Sequence, residues 1–451
     1  MQNSSMNRRQ WLKMMGIGSA AVALAACAPA TAPAGGSESS SAAAAPGSAL
    51  VDLSVATFDA PLHDWQREFA QRWADANKDK ANTTIERVVY GEMAKLQLAR
   101  AASGTMWDIV FSGIKWFPYS ASKDMFLQLD DLLANRPDAD LEDFFAPTLA
   151  GAKLDGKIYG LPYEIHPGNP ALVVFNLEML DKAGLEMPTD DWDVAQYADM
   201  AVKLTDTENQ IFGTNYLPGN YYDFESLARA YGTDIMNADR TQLQFATDPM
   251  CVEAAKYITS LRTELHVAPS RDEAAGLDFT AGLLGSAVGG TTQVNPFATT
   301  IDGAFEHDWV LFPKGPDGKR GYTAFSSNYS IASTTKDPEL ATDLLIYLTS
   351  TEAGLWSALE QGTGQPNARH SVWGDETLLS KSHPIFRRVL AMFNDANIEG
   401  PFPMPNNLRF QELQDNWANT SPDLFYGDVS FDEGLQNVQD AMQEILDLPR
   451  A

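Results

Sequence analysis

Between Leu53 and Gly113 the chain alternates short apolar runs with amphipathic ones, and no other feature constrains its fold as much. Leu53-Ser-Val-Ala-Thr-Phe58 reads as a strand, and Trp65, Phe69 and Trp73 then recur at spacing four, the inner face of a helix. Residues 84–90 predict a second strand, 92–103 a second helix, and 107–111 a third strand ending at Ser112-Gly113. Strand, helix, strand, helix, strand is the order of a parallel sheet with crossover helices. Ligands of such sheets sit beyond the carboxyl ends of the strands. The predicted crevice therefore lies at Phe58-Asp59 and Ser112-Gly113, and Asp59 and Ser112 are its first candidate contacts.

A second α/β region begins after Gly160-Leu-Pro-Tyr163. Residues 172–176 predict a buried strand, 192–204 a helix, and 211–216 a strand running into a loop over 217–222. A helix begins near Pro249, strands are expected at 286–290 and 309–312, and Pro313-Lys-Gly-Pro-Asp-Gly318 is rich in turn residues. The last strand signal is 329–332. Helices follow, one opened by Pro338 with Leu340, Leu344, Leu345 and Leu348, another carrying Phe431, Leu435, Val438, Met442 and Ile445.

The amino terminus places this body outside the cytoplasm. Arg8-Arg9-Gln10-Trp11-Leu12-Lys13 precedes an apolar run over 14–24 and then Leu24-Ala-Ala-Cys27. A basic start, a short apolar run and small residues make a secretory signal, since a bilayer span needs about 20 apolar residues. The paired arginines resemble the twin-arginine export signal, with Trp11 where Phe is more usual, and Leu-Ala-Ala-Cys resembles the bacterial lipobox. The expectation is a signal over 1–26, a lipid on Cys27, and anchorage on the outer face of the cytoplasmic membrane within a bacterial cell envelope. Residues 27–48, almost entirely Ala, Ser, Pro, Gly and Thr, cannot bury enough apolar surface to order themselves and predict a flexible tether.

Charge excludes other settings. With 32 Lys and Arg against 60 Asp and Glu the net charge is −28, and loss of Arg8, Arg9 and Lys13 makes it three units more negative. Nucleic acid needs a basic footprint, so no nucleic-acid partner is expected. Such a chain does not adhere to anionic lipid by charge either, which leaves the lipid on Cys27 as the membrane attachment. The other cysteine, Cys251, precedes the helical pattern Val252, Ala255, Ile258, Leu261 and Leu265, and reads as a small buried residue.

At Asp155-Gly-Lys-Ile-Tyr-Gly-Leu-Pro-Tyr-Glu164, followed by Leu172-Val-Val-Phe-Asn-Leu-Glu-Met-Leu180 and Ala183-Gly-Leu, the chain resembles family 1 extracellular solute-binding proteins of ABC importers, the maltose-binding group. Phe279-Thr-Ala-Gly, Val288-Gly-Gly, Phe312-Pro-Lys-Gly-Pro-Asp-Gly and the stretches 329–341 and 345–354 follow in the order this family shows. The resemblance implies an α/β, two-lobed periplasmic-binding-protein-like fold of type II, with a ligand cleft between lobes. The first lobe would take 49–163 and 322–380, the second 164–321 and 381–451. It further implies a monomer that captures a small-molecule solute, a sugar, oligosaccharide or polyol, and passes it to the transmembrane subunits of an ABC permease. Closure would be a hinge motion.

No catalytic signature is present: there is no Gly-x-Ser-x-Gly elbow, no P-loop and no His-Glu-x-x-His. The six histidines lack ligand spacing, so neither a metal nor a cofactor is expected. Sugars present apolar CH faces ringed by hydroxyls, and their sites pair aromatic rings with carboxylates and amides. On presumed cleft segments this chain offers Trp116, Tyr163, Glu164, Tyr221, Tyr222, Gln293, Asn295 and Phe297. Ser326, Asn328, Asn406, Asn407, Arg409 and Phe410 complete the candidates. Around Gly290-Thr-Thr-Gln293 the maltose-binding group commonly has a Trp that this chain lacks, so maltose itself is not implied. Two other readings stay open: a ferric-iron binder on the same fold, suggested by the tandem Tyr221-Tyr222, and a secreted hydrolase.

Overall fold

In the computed structural model, residues 50–361, 367–394, 402–403 and 407–449 are described; Cys27, the signal and tether over 1–48, and Asn406 lie outside them. The chain begins with β1 (Val51–Phe58), α1 (Asp64–Ala76), β2 (Ala81–Val88), α2 (Tyr90–Ser103) and β3 (Ile109–Gly113). As the alternation requires, β1 pairs in parallel with β2 on one side and β3 on the other. Trp65, Phe69 and Trp73 form the buried face of α1. Gly104, at φ 70°, caps α2 in the left-handed conformation that only glycine adopts without strain. A short helix, α3 (Phe117–Ser122), follows β3.

The chain then crosses to a second sheet through β4 (Leu161–Pro162) and β5 (His166–Pro167). In that sheet β6 (Leu172–Asn176) is buried along its whole length. Leu172 and Val174 face one core, Val173 and Phe175 the other, the two-sided burial that an unbroken apolar strand implies. Helices α4 (Val194–Leu204), α5 (Tyr221–Ala230) and α6 (Pro249–Thr263) come next, then β7 (Ser286–Gly289) and β8 (His307–Leu311). The order is β8-β6-β7, antiparallel throughout.

The return runs through β9 (Thr323–Phe325) and β10 (Ser327–Ile331). β10 joins the first sheet antiparallel to both β3 and β4, giving the order β2-β1-β3-β10-β4. Helices α7 (Pro338–Leu348) and α8 (Ile385–Asn394), the short β11 (Phe402–Pro403), α9 (Phe410–Tyr426) and α10 (Phe431–Leu446) complete the described chain. The architecture is two-lobed α/β. One helix contacts both halves. In α8, Arg388 donates to the Trp309 carbonyl of β8 at 2.9 Å, while Phe393 packs 5.0 Å from Trp373 and 5.2 Å from Phe145.

Two local expectations differ from the structure. Residues 211–216 form no regular strand. Gly213 lies against the α4 backbone, where a Cβ would be 2.0 Å from the Ala201 carbonyl oxygen, and its own carbonyl accepts from Ser286 at 2.7 Å. That close approach to a helix displaces a sheet partner. Residues 221 and 222 are helical rather than loop, because Asn220 and Asp223 cap the helix: the Asn220 amide donates to the Asp223 carboxylate at 3.1 Å.

Candidate solute site

The two halves meet where the outgoing and returning segments run antiparallel. Leu161 and Pro162 face Tyr329 and Asn328, Tyr163 donates its amide to the Ser327 carbonyl at 3.0 Å, and His166 and Pro167 face Phe325 and Ala324. Glu164 sits at the middle of this crossing. It is half-buried, and loss of hydration pushes its carboxyl up to about 7, against hydrogen bonds donated by the Ser327 and Tyr163 hydroxyls.

A wall of rings rises beside it from the carboxyl ends of β1 and β3. The buried Tyr163 ring lies 5.6 Å from Trp65, 5.8 Å from Phe111 and 5.3 Å from Tyr329. Trp116, at the N-terminus of α3, continues the wall 5.8 Å from Phe111 and 5.4 Å from Tyr90. Its indole rests on Gly113, where a Cβ would come within 2.4 Å of the ring, so only glycine lets the indole lie there. Burial and then the Glu164 charge raise the Tyr90 hydroxyl to about 12. Burial raises Tyr222 as well, followed by the charges of Asp223 and Tyr90, so groups from both halves lie within electrostatic reach of each other.

The fold has counterparts elsewhere. Residues 59–355 match the family described as bacterial extracellular solute-binding protein. The chain belongs to that family. A Brucella abortus protein, provisionally named as a binding protein, is 23% identical over 309 residues, covering 66% of this chain and 71% of its own. An ABC substrate-binding protein from Listeria monocytogenes in complex with cycloalternan superposes with a TM-score of 0.75 at 20% identity, covering 89% of this chain and 100% of that one. The GacH receptor of Streptomyces glaucescens, solved unliganded and with acarbose, gives 0.72 at 18% identity with the same coverage. An ABC solute-binding protein from Agrobacterium radiobacter in complex with ribitol gives 0.70 at 18%, covering 88% and 98%. As a solute-binding protein the chain is a binder rather than an enzyme.

Within this solute-binding protein the sequence candidates divide. Ser112 and Asn328 face each other in the β3–β10 register, both with no exposed surface. The Ser112 hydroxyl, both polar atoms of the Asn328 amide, the Ser326 hydroxyl and the Trp116 indole nitrogen are buried without a hydrogen-bond partner among the described residues. These, with Tyr163 and Glu164, are the candidates brought to the junction. Tyr221, Tyr222 and Phe410 instead form one packed group: Phe410 lies 5.2 Å from Tyr221 and 5.6 Å from Tyr222, and Tyr222 is 5.0 Å from Phe325 of β9.

The others are held locally. Asp59 is exposed and paired with Arg87 at 2.6 Å. The Gln293 side chain accepts from the Gly290 amide at 2.7 Å, and Asn295 accepts on its carbonyl from Thr299. Phe297 stacks on Phe279 at 5.8 Å. Arg409 pairs with Glu412 at 2.7 Å and lines a surface pocket of about 430 Å³ with Arg240, Leu446 and Leu448. Cys251 is buried, and burial pushes its thiol up, as befits a packing residue.

Sequence reasoning passed over Tyr90, His63, Lys115 and Asp223. The His63 ring lies 4.4 Å from Phe58, and burial lowers it to about 4, so it is neutral near pH 7. Tyr90 and Lys115 flank segments already assigned to the crevice, and that adjacency was the available signal. Among the described residues no three His, Cys, Asp or Glu side chains gather as a metal site, and no helix is long and apolar enough to cross a membrane.

Proposed function

We propose that this solute-binding protein captures a sugar, oligosaccharide or polyol between its lobes and delivers it to the permease of an ABC importer. The observation that carries this reading is the pairing at the junction of ring faces with unspent polar groups. Tyr90, Trp116 and Tyr163 offer apolar faces. Asn328, Ser112 and the Trp116 indole nitrogen offer donors and acceptors without a partner among the described residues, and Glu164 adds a carboxylate beside them. A polyhydroxylated solute matches both. The carbohydrate and polyol complexes of the structural relatives support the same class. The iron reading is disfavoured by the packing of Tyr221 and Tyr222, whose rings lie against Phe410 and, for Tyr222, Phe325.

In this reading the lobes comprise 49–163 with 322–380 and 164–321 with 381–451, α8 lying against both, and the protein acts as a monomer. The lipid on Cys27 holds it at the membrane beside the permease. Cys27→Ser should move the protein from the membrane to the soluble fraction; retention at the membrane with no lipid on residue 27 would refute the anchor. The solute is found by thermal shift against a carbohydrate and polyol panel, where ligand at 100 times its dissociation constant adds about 2.7 kcal/mol. A panel without a single shift counts against the class.

A further inference from the structure

The ring wall does not stop at Trp116. Four of its rings, His63, Phe58, Tyr90 and Trp116, are only half-buried. They follow one another at 4.4, 5.3 and 5.4 Å between centroids. Behind them Phe111, 1% exposed, lies 5.9 Å from both Phe58 and Tyr90 and 5.8 Å from Trp116. Phe58 and Trp116 thus share Tyr90 and Phe111 as neighbours, and among the described residues they have no ring contact with each other. The open rings form a line with His63 and Trp116 at its ends, not a cage around one point.

Each end of this line carries polar groups of its own. At one end is the Trp116 indole nitrogen, with Ser112 and Asn328 in the β3–β10 register beside it, all without a hydrogen-bond partner among the described residues. At the other end Asp59 directly follows Phe58, and Asp64 directly follows His63. Arg87, near the carboxyl end of β2, bridges the two acids, its Nη2 lying 2.6 Å from Asp59 and 3.1 Å from Asp64. The side chains of Asp59, Asp64 and Arg87 are 41%, 42% and 39% exposed, so hydroxyls can reach them without disturbing the fold. Ion pairs this open contribute little to stability. A ring face with polar groups beside it is what one sugar unit requires, and here that requirement is met twice.

We propose that the solute is an oligosaccharide of two or more units lying along this wall, one unit on Trp116 and Tyr90 and the next on Phe58 and His63, with its hydroxyls on Asp59, Asp64 and Arg87. The inference rests on the carbohydrate reading and narrows it, because a polyol or a single sugar fills one end of the line and leaves the other to water. A second seated unit adds apolar contact and charge-assisted hydrogen bonds. Affinity therefore rises with chain length until the wall is covered, roughly tenfold from one unit to two.

The test is titration calorimetry of the mature chain against malto-, manno-, xylo- and galacto-oligosaccharides of one to four units, with ribitol and mannitol alongside. The series that binds should tighten about tenfold between one unit and two. Phe58→Ala should weaken the longer members about tenfold and the one-unit member much less. Because Phe58 also packs on Phe111, Arg87→Gln at an exposed position gives a second comparison and should flatten the dependence on length in the same way. A single sugar or polyol bound as tightly as any oligosaccharide overturns the inference and leaves the carbohydrate reading standing. Equal losses at every length in the folded variants overturn it as well, whereas no binding by any compound would defeat both readings.

Discussion

Gly113 and Trp116 are in direct apposition: the indole occupies the space that any side chain at position 113 would claim, 2.4 Å from where a Cβ would stand. The strand end and the ring wall are thereby one construction, and the position of the indole depends on an absent methyl group. Gly113→Ala should displace the Trp116 ring while leaving the sheet paired, at a cost of about 1–3 kcal/mol. The check is near-ultraviolet circular dichroism together with solute titration. Unaltered indole signal and affinity would show that the ring does not belong to the site.

Tyr222 tests the division between packing and recognition. Its ring is enclosed by Phe325 and Phe410, so Tyr222→Ala should cost about 3–5 kcal/mol of stability, as large-to-small aromatic changes do. Tyr222→Phe keeps the ring and removes only the hydroxyl, and should leave the melting temperature close to native. A Tyr222→Ala variant as stable as the parent would contradict the packing described here.

The Glu164 carboxyl is raised from 4.5 to about 7 by burial. Between those values the folded chain retains a proton that the unfolded chain has released, so the stability from this group is full below about pH 4.5 and lost as pH rises through about 7. Asp223, raised from 3.8 to about 7, acts with the same sign. Glu164→Gln removes one of the two. Its stability relative to the parent should rise between pH 5 and pH 8 by roughly 1–3 kcal/mol, a range that allows for the partial exposure of the group. A difference independent of pH, measured by urea unfolding at both values, would remove Glu164 from the buried crossing.

Neither end of the Asn328 amide has a hydrogen-bond partner among the described residues. Asn328→Ala should therefore weaken a hydroxyl-rich solute about 5- to 150-fold, the loss of one buried hydrogen-bonding partner. Far-ultraviolet circular dichroism should be unchanged. Native affinity in a folded variant would assign the amide a purely internal role.

The first sheet was legible because α1 carries a one-faced helical period and β1 and β3 are short apolar runs, β3 being buried along its whole length. Glu164 and Tyr163 were legible as site candidates through the phrase that contains them. The helical state of residues 221 and 222 was not legible, since Leu217-Pro-Gly-Asn220 has loop composition and the cap formed by Asn220 and Asp223 acts three residues apart.

The central claim is reversible capture of a carbohydrate or polyol without chemistry. Titration calorimetry of the mature chain against the compound selected by thermal shift, followed by recovery and mass analysis of that compound, tests it most directly. The account predicts saturation at one solute per chain, weakened by Asn328→Ala, with the compound recovered unchanged. Heat that continues after saturation with conversion of the compound, or no binding by any member of the panel, would contradict it.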